Sequence, residues 1–561
     1  GLSKEEVGIQ DDFFRLGGNS ILAVRLISKI NKKLNKTLRV NIIFNNTTIV
    51  NLIASFKAEE SKELTIYSAK SGEIGEQKLS FAQERLWFIE KYEGGTNAYN
   101  VPMVFRISKT ANLEILKYSI TSIIKRHEIL RTLIKEDSNG NAFQYVLDIE
   151  ENPLTITTLE VKDLTELELN IQKEVMHIYD LGREYPIRIV IYELNKDIIG
   201  QKEYYISILI HHIAFDGWSM DIFLRELYEY YKYYSEKANG NEYILDLPNL
   251  DIQYKDFAIW QRSYLTEEKL NIQVDYWRNK LHGYETLNLI SDNTRPKEIE
   301  YAGGNVFFEI DENVSIQLRE VAKVLNVSLY SVLLAGYYLM LKCYSNQEDI
   351  VIGTPIANRH YTQVENIIGF FVNTLALRIN INDVEKVKDY IERIGQEIKE
   401  AQFYQDLPFE KLIEELGVDK DTSRHPVFQV IFAIESFGNN QEDEQRKEYL
   451  NQILRPYEGD SGYNIAKFDL SMFIDEQNIK LVGNLNYATS LYKEETIRRY
   501  IETYKNILVQ IAELIEIPER LECTRINEID YLSDNQYQQI IYKWNETEAE
   551  YPRDKTIYEL F

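Results

Sequence analysis

The chain has 561 residues, 44% of them hydrophobic, with 89 acidic against 63 basic side chains and a formal net charge of −26 at pH 7. At roughly 150 residues per domain this length implies about three or four folding units, and the apolar content excludes a disordered chain. The acidity repels phosphate backbones and anionic lipids, so neither nucleic acid nor membrane is an expected partner, and a cytoplasmic setting is expected. Cys343 and Cys523 stand far apart and outside any CxxC or Cys/His spacing, which argues against a disulfide framework and against structural zinc. The opening GLSKEEV lacks a basic-apolar signal pattern, and the ending YPRDKTIYELF stops as a new amphipathic pattern begins. Both ends therefore read as cuts from a longer protein.

Residues 1–57 predict a small helical unit. In DDFFRLGGNSILAVRLISKINKKL a Gly17-Gly18 turn and Asn19 precede Ser20, and Leu22, Leu26 and Ile30 then recur every fourth position with Ile27 widening the face. A second short helix is expected from Ile49, with a threonine just before it as cap. The unit is too small for an enzyme core. Residues 58–77, rich in Glu, Lys, Ser and Gly, read as a linker. From residue 78 to 524, helical and strand patterns interleave. SIIKRHEILRTLIK reads as a helix running into a strand, EYYISILIHHIAFD as a buried strand, VSLYSVLLAGYYLMLKCYS as a buried helix, and QEDIVIGTPIANR as a strand with a turn. The expected fold is α/β in two lobes, 78–260 and 261–524, with 525–561 as a connector to a further domain.

Two segments carry chemistry. A serine at a helix start is most often an ordinary N-cap; Ser20 also sits where an exposed hydroxyl could bear a phosphate arm whose charge the helix N-terminus would stabilise. In HHIAFDG, His211 and His212 follow a buried strand, and alternation would send one into a cavity and the other into packing. Asp216 then falls in a turn ended by Gly217, whose backbone N–H can be exposed. Two structural histidines remain the bland alternative; a metal reading lacks a third ligand at a usual spacing.

DDFFRLGGNSILAVRL resembles the carrier signature of nonribosomal peptide synthetases, and HHIAFDG resembles the HHxxxDG motif of their condensation domains and of the chloramphenicol acetyltransferase superfamily. Seven further segments match the condensation family in order: LSFAQERLWF (79–88), RHEILRT (126–132), YKDFAIW (254–260), IGFFVNTLALR (368–378), DLPFEKLI (406–413), HPVFQVIF (425–432) and KFDLSM (467–472). WNETEAEYPRDKTIYELF is similar to the start of an adenylation domain. The resemblance implies a four-helix carrier domain followed by a condensation domain of two acetyltransferase-like lobes. It implies 4′-phosphopantetheine on Ser20, loaded by a phosphopantetheinyl transferase. It further implies upstream and downstream adenylation domains, a downstream acceptor carrier, and peptidyl or aminoacyl thioesters as substrates.

In such a reaction the acceptor's α-amine attacks the donor thioester carbonyl, a C–N bond forms, the C–S bond breaks, and the proton leaves with the thiol. By the resemblance His212 is the main catalytic residue, either as general base or as the hydrogen-bond partner that orients the amine. The α-amino group, with a pKa of about 7.7–8.0, is already largely neutral near pH 8, which keeps both roles open. His211 is expected to pack beneath the site, and the Gly217 N–H to face the oxyanion. Asp216 is expected to be architectural, paired with Arg85, Arg131, Arg278 or Arg378. Arg359 is assigned to a loop bridging the lobes. Asn373 and Thr374 either touch a pantetheine arm or are satisfied loop polars. Trp87, Trp260 and Trp277 are expected as core anchors, and Lys29–Lys33 as a solvated face. FAQERLWF and DGWS look like condensation domains taking a D-configured donor, although residues 58–77 leave no room for an epimerisation domain. A dual epimerising-condensing domain and a non-catalytic scaffold displaying a carrier stand as alternatives.

Overall fold

The computed structural model describes residues 7–13, 16, 18, 20–34, 38, 42–43, 46–56, 66–68, 77–195, 202–359, 361–418, 421–435, 441–550 and 552–561. In the first unit the two expected helices are α1 (Ser20–Leu34) and α2 (Ile49–Ser55). Thr48 caps α2 by accepting a hydrogen bond from the Asn51 N–H at 3.2 Å. Ala23 and Ile27 of α1 and Leu52 of α2 are buried. Phe14, Gly17 and Asn19 of the carrier-like segment lie outside the described residues.

The first α/β half is built on a five-stranded sheet in the order β12-β2-β7-β6-β5. Its strands are β2 (Asn100–Ile107), β5 (Ile156–Val161), β6 (Ile187–Asn195), β7 (Lys202–His211) and, from far along the chain, β12 (Leu454–Pro456). The expected strand is β7, the middle of the sheet: Ile206, Ile208, Leu209 and Ile210 are fully buried, as a strand covered on both faces requires. The helix-into-strand reading of RHEILRT also holds. Helix α3 (Leu113–Arg126) passes through a 3₁₀ turn at Glu128–Arg131 into β3 (Thr132–Glu136). β3 joins β4 (Ala142–Val146) and β1 (Gln77–Lys78) in a small second sheet.

The second half has a six-stranded sheet in the order β10-β9-β11-β13-β14-β8. These strands are β8 (Gly303–Glu309), β9 (Asp349–Ile356), β10 (Asn373–Asn380), β11 (Val430–Glu435), β13 (Leu470–Asp475) and β14 (Val482–Ala488). The apolar helix α4 (Leu329–Ser345) is buried along residues 331–341, consistent with a helix hydrophobic on all sides. Arg525 bridges back to Lys386, and the Asn506 side chain donates to the Asp530 and Leu532 carbonyls, so the chain stays packed on this half past residue 524.

Two features tie the halves together. β12 leaves the second half to pair antiparallel with β2. The strands β9 and β10 are direct antiparallel neighbours, Ile356 opposite Asn373, yet residues 357–372 between them leave the sheet. There Val364, Ile367, Ile368 and Phe371 join the core of the first half. Gly369 marks how close this crossover loop comes: a Cβ there would lie 2.1 Å from the Tyr254 ring.

Candidate active site

The site forms where β7 gives way to the long helix α5 (Gly217–Ala238). The strand ends at His211 and a 3₁₀ turn takes His212–Ala214, so strand alternation does not separate the two histidines; the change of backbone conformation does. His211 is fully buried. Its Nδ1 accepts from the Ile213 N–H at 3.1 Å and its Nε2 meets Glu90 Oε1 at 3.1 Å, so the proton sits on Nε2 and the ring fixes the turn from below. The His212 N–H donates to the Tyr99 carbonyl at 2.8 Å. His212 Nδ1 lies 2.6 Å from the Phe215 carbonyl. A carbonyl only accepts, so Nδ1 carries the hydrogen and Nε2 is the proton-accepting nitrogen. The Phe370 ring of the crossover loop packs edge-on against the imidazole at a centroid distance of 4.9 Å.

Asp216 is not in a free turn: it is the N-cap of α5, accepting from the Ser219 N–H at 2.8 Å, and Gly217 is the exposed first helical residue. The ion partner of Asp216 is Arg359, at 3.1 Å with neither side chain exposed, which corrects the four expected candidates. Arg85 pairs with Glu410, Arg131 reaches Glu128 and the Leu147 carbonyl, Arg278 pairs with Asp275 and Glu415, and Arg378 with Asp349. The Arg359 guanidinium also donates to the Val364 carbonyl at 2.7 Å and the Ile367 carbonyl at 2.6 Å and lies 4.0 Å over the Phe371 ring. The other Asp216 oxygen receives the Phe371 N–H at 3.0 Å. One buried pair therefore starts α5 and holds the crossover loop, with Phe370, beside His212.

Burial is the first cause that lowers the His212 pKa to about 3, and the Lys467 charge adds to it. The ring is neutral throughout the working range of pH. Lys467 is itself pushed down to about 8 by burial and by Arg85. Its ammonium lies 4.9 Å from the Tyr99 ring centroid. His425 donates from Nε2 to the Lys467 carbonyl and is held near 4 by burial and by Arg85. Lys467, Glu90, Tyr99 and Phe370 were not singled out in the sequence. KFDLSM and IGFFVNTLALR contain Lys467 and Phe370, but only the fold brings those side chains to the histidines, and Glu90 and Tyr99 lie outside every motif-like segment.

Other expected residues have structural duties. Asn373 opens β10, donates to the Gln405 and Leu407 carbonyls at 3.0 and 2.8 Å and accepts the Phe409 and Thr374 N–H groups, so it is a satisfied structural polar. Trp277 is buried with its N–H on the Tyr404 carbonyl, while Trp260 stacks on Tyr264. Lys29 and Lys33 are exposed.

Comparison with known proteins accounts for these features. A condensation-domain family model matches residues 73–541. The chain belongs to the condensation domain family. A second model, for the phosphopantetheine attachment site, matches residues 1–56, so a carrier unit is fused ahead of the condensation domain. The chain is 35% identical over 512 residues to N-(5-amino-5-carboxypentanoyl)-L-cysteinyl-D-valine synthase of Amycolatopsis lactamdurans, covering 91% of this chain and 13% of that protein. It is 35% identical over 564 residues to gramicidin S synthase 2 of Aneurinibacillus migulanus, covering 100% of this chain and 12% of the relative. The chain thus spans about an eighth of the length of these two relatives. Among solved structures, the X-domain from teicoplanin biosynthesis superposes with a TM-score of 0.71 at 24% identity, covering 83% of this chain and all of that one. The condensation domain from the monacolin K polyketide synthase MokA gives 0.65 at 19% identity, covering 81% and 99%. As a condensation domain the chain is an amide-bond-forming transferase, with phosphopantetheine as the covalent cofactor of its carrier unit.

The carrier segment fits that cofactor. Ser20 is the first residue of the 15-residue α1, whose first turn contains no acidic side chain, so the helix dipole is left to a bound phosphodiester. Gly18 makes the tight approach possible, since a Cβ there would lie 2.4 Å from the Phe13 ring. The Ser20 side chain itself lies outside the described residues.

Proposed function

We propose that His212 is the residue on which peptide-bond formation turns, with Ser20 bearing the donor. Bound phosphopantetheine supplies a thiol that presents the donor acyl group as a thioester. The observation that carries the reading is the His212 tautomer: neutral, with hydrogen on Nδ1 and a lone pair on Nε2. Such an imidazole accepts a hydrogen bond from the acceptor's α-amine, orients its lone pair toward the donor carbonyl, and takes up the proton that the nitrogen sheds as the C–N bond forms. A histidine this reluctant to protonate is a weak base toward a free amine. Its best-supported role is to hold and steer the amine, then to accept a proton only once the nitrogen has become strongly acidic in the adduct.

Gly217 is assigned as a donor to the developing oxyanion. As the first residue of a 22-residue helix its N–H has no intrahelical partner, and it points out of the positive end of the dipole. The Lys467 charge, which acts on His212, favours the same negative charge. His211 and Asp216 position these groups without touching substrate. The two sheet-based halves support a description as two acetyltransferase-like lobes, 78–260 and 261–524, after a four-helix carrier of residues 1–57 and a linker of 58–77, with 525–561 leading toward an adenylation domain. Adenylation domains, a phosphopantetheinyl transferase and a downstream acceptor carrier are the proposed partners. Preference for a D-configured donor rests on the FAQERLWF and DGWS resemblance; it is tested by offering matched D- and L-aminoacyl donors.

Replacing His212 by Ala is expected to lower condensation by about 10²–10⁴. Loading of Ser20, followed as a mass gain with a phosphopantetheinyl transferase, should be unchanged. Near-normal product formation by the variant would remove His212 from the mechanism, and an absent mass gain would remove the carrier assignment.

A further inference from the structure

The chain between the carrier unit and the condensation domain is fastened at one described point, Ile66. Its N–H donates to Gln363 Oε1 at 2.9 Å, and its carbonyl accepts from Gln363 Nε2 at 2.9 Å. One side-chain amide thus satisfies both backbone groups of one residue, reproducing a rung of a β-bridge. Ile66 is 1% exposed and belongs to the core of the first half, whereas its neighbour Tyr67 is 79% exposed. The burial is therefore a local socket for one side chain. Gln363 stands in the 3₁₀ turn Thr362–Val364 of the crossover loop, and that turn also touches α1, the helix that Ser20 opens. The turn is held on both sides: Arg359 binds the Val364 carbonyl, and the Tyr361 ring packs on Trp260 at 4.6 Å.

We propose that Gln363 and Ile66 form a clamp that sets the length of the carrier's tether. This inference rests on the assignment of the first unit as a carrier. From Ser55, where α2 ends, it is 11 residues to Ile66 (66 − 55) and 22 to Gln77 (77 − 55), where the condensation domain's first strand begins. A chain spans at most about 3.5 Å per residue, so the closed clamp confines the carrier to within roughly 40 Å of Ile66, and release extends the limit to roughly 77 Å from Gln77. With the clamp closed, the carrier is kept beside the crossover loop whose other end, Phe370, lies against His212. With it open, the carrier reaches twice as far, as delivery to a distant domain requires. Two hydrogen bonds and one buried side chain are few enough for local release without unfolding the rest.

The test uses the full chain as wild type, Gln363→Ala and Ile66→Pro, the last lacking the N–H. Hydrogen exchange is read at Ile66 in wild type and Gln363→Ala before any loading; protection present in wild type should be lost in Gln363→Ala. Condensation is then compared for a donor carried on Ser20 and for the same acyl group offered as a soluble pantetheine thioester, with an aminoacyl-pantetheine acceptor in both. Doubling a tether lowers effective concentration by its −3/2 power, so both variants should slow the Ser20-borne reaction about threefold and leave the soluble-donor reaction unchanged. Unaltered exchange at Ile66, an unaltered Ser20-borne rate, or an equal loss with the soluble donor would each overturn the proposal. A missing mass gain at Ser20 would sink the carrier assignment and the tether role with it, while the exchange result would still report the clamp.

Discussion

Replacing Asp216 by Ala removes a carboxylate that accepts from the Ser219 N–H at 2.8 Å, the Ser219 hydroxyl at 2.7 Å, the Phe371 N–H at 3.0 Å and Arg359 at 3.1 Å. The largest loss comes from the stranded Arg359, a guanidinium with no exposed side-chain surface; breaking such a pair from one side costs about 3–5 kcal/mol. The lost N-cap of α5 adds about 1 kcal/mol. The sum, roughly 4–6 kcal/mol, is a large share of a domain's stability and, spread over the unfolding entropy of a condensation domain of residues 73–541, corresponds to a fall in melting temperature of roughly 4–6 °C. Asp216→Asn keeps a capping oxygen and should lose about 1 kcal/mol less. Circular-dichroism melts report the stability, and product formation at low temperature, where the variants are still folded, reports the chemistry. If Asp216→Ala abolished condensation while its melting temperature moved by less than about 2 °C, the architectural assignment would be wrong and the carboxylate would belong to the reaction itself.

Two further outcomes follow from the charges around His212. In the unfolded chain His212 and His425 titrate near 6.5, whereas burial holds them near 3 and 4 in the folded protein, so below pH 6.5 the unfolded state binds protons that the folded state refuses. Their contribution is fully present above about pH 6.5 and is lost as pH falls toward 4, amounting to several kcal/mol; denaturant midpoints across that range should fall less steeply in a His212→Gln, His425→Gln double variant. Lys467→Met removes a positive charge beside His212 and should raise its pKa above about 3, whereas Lys467→Arg should not, as followed by NMR of ¹³C-labelled histidine. An unmoved titration in Lys467→Met would mean that desolvation alone keeps His212 neutral.

Much of the fold was legible because it rests on local pattern. The β-forming run 205–210, the predominantly apolar 331–341 and the helix-to-strand passage through RHEILRT each became the element their pattern implied. What local pattern does not encode is pairing across long separations. Asp216 and Arg359 are 143 positions apart and meet only because residues 357–372 leave a β-hairpin to cross into the other half. Arg85, Arg131, Arg278 and Arg378 lay in motif-like segments, but each is taken by a nearer acidic group or carbonyl. The His211–Glu90 bond, spanning 121 positions, escaped for the same reason. The division of the histidine pair, one packed and one partly exposed, came out as alternation implied but for another reason, since β7 stops at His211 and the 3₁₀ turn separates the rings.

The motif HHIAFDG is thus best understood as a joint rather than as a set of reacting groups. Its first histidine closes a strand on Glu90, its aspartate starts a helix and captures the crossover loop, and only its second histidine and the backbone N–H of Gly217 are left for substrate. The loop returns the favour by placing Phe370 on that histidine and by offering Gln363 to the linker. A substitution at His211 or Asp216 is expected to disturb both the proton-accepting nitrogen and the contact between halves. Loss of activity alone therefore cannot assign a chemical role to Asp216 or His211, and only residues whose removal spares the melting temperature can be credited with one.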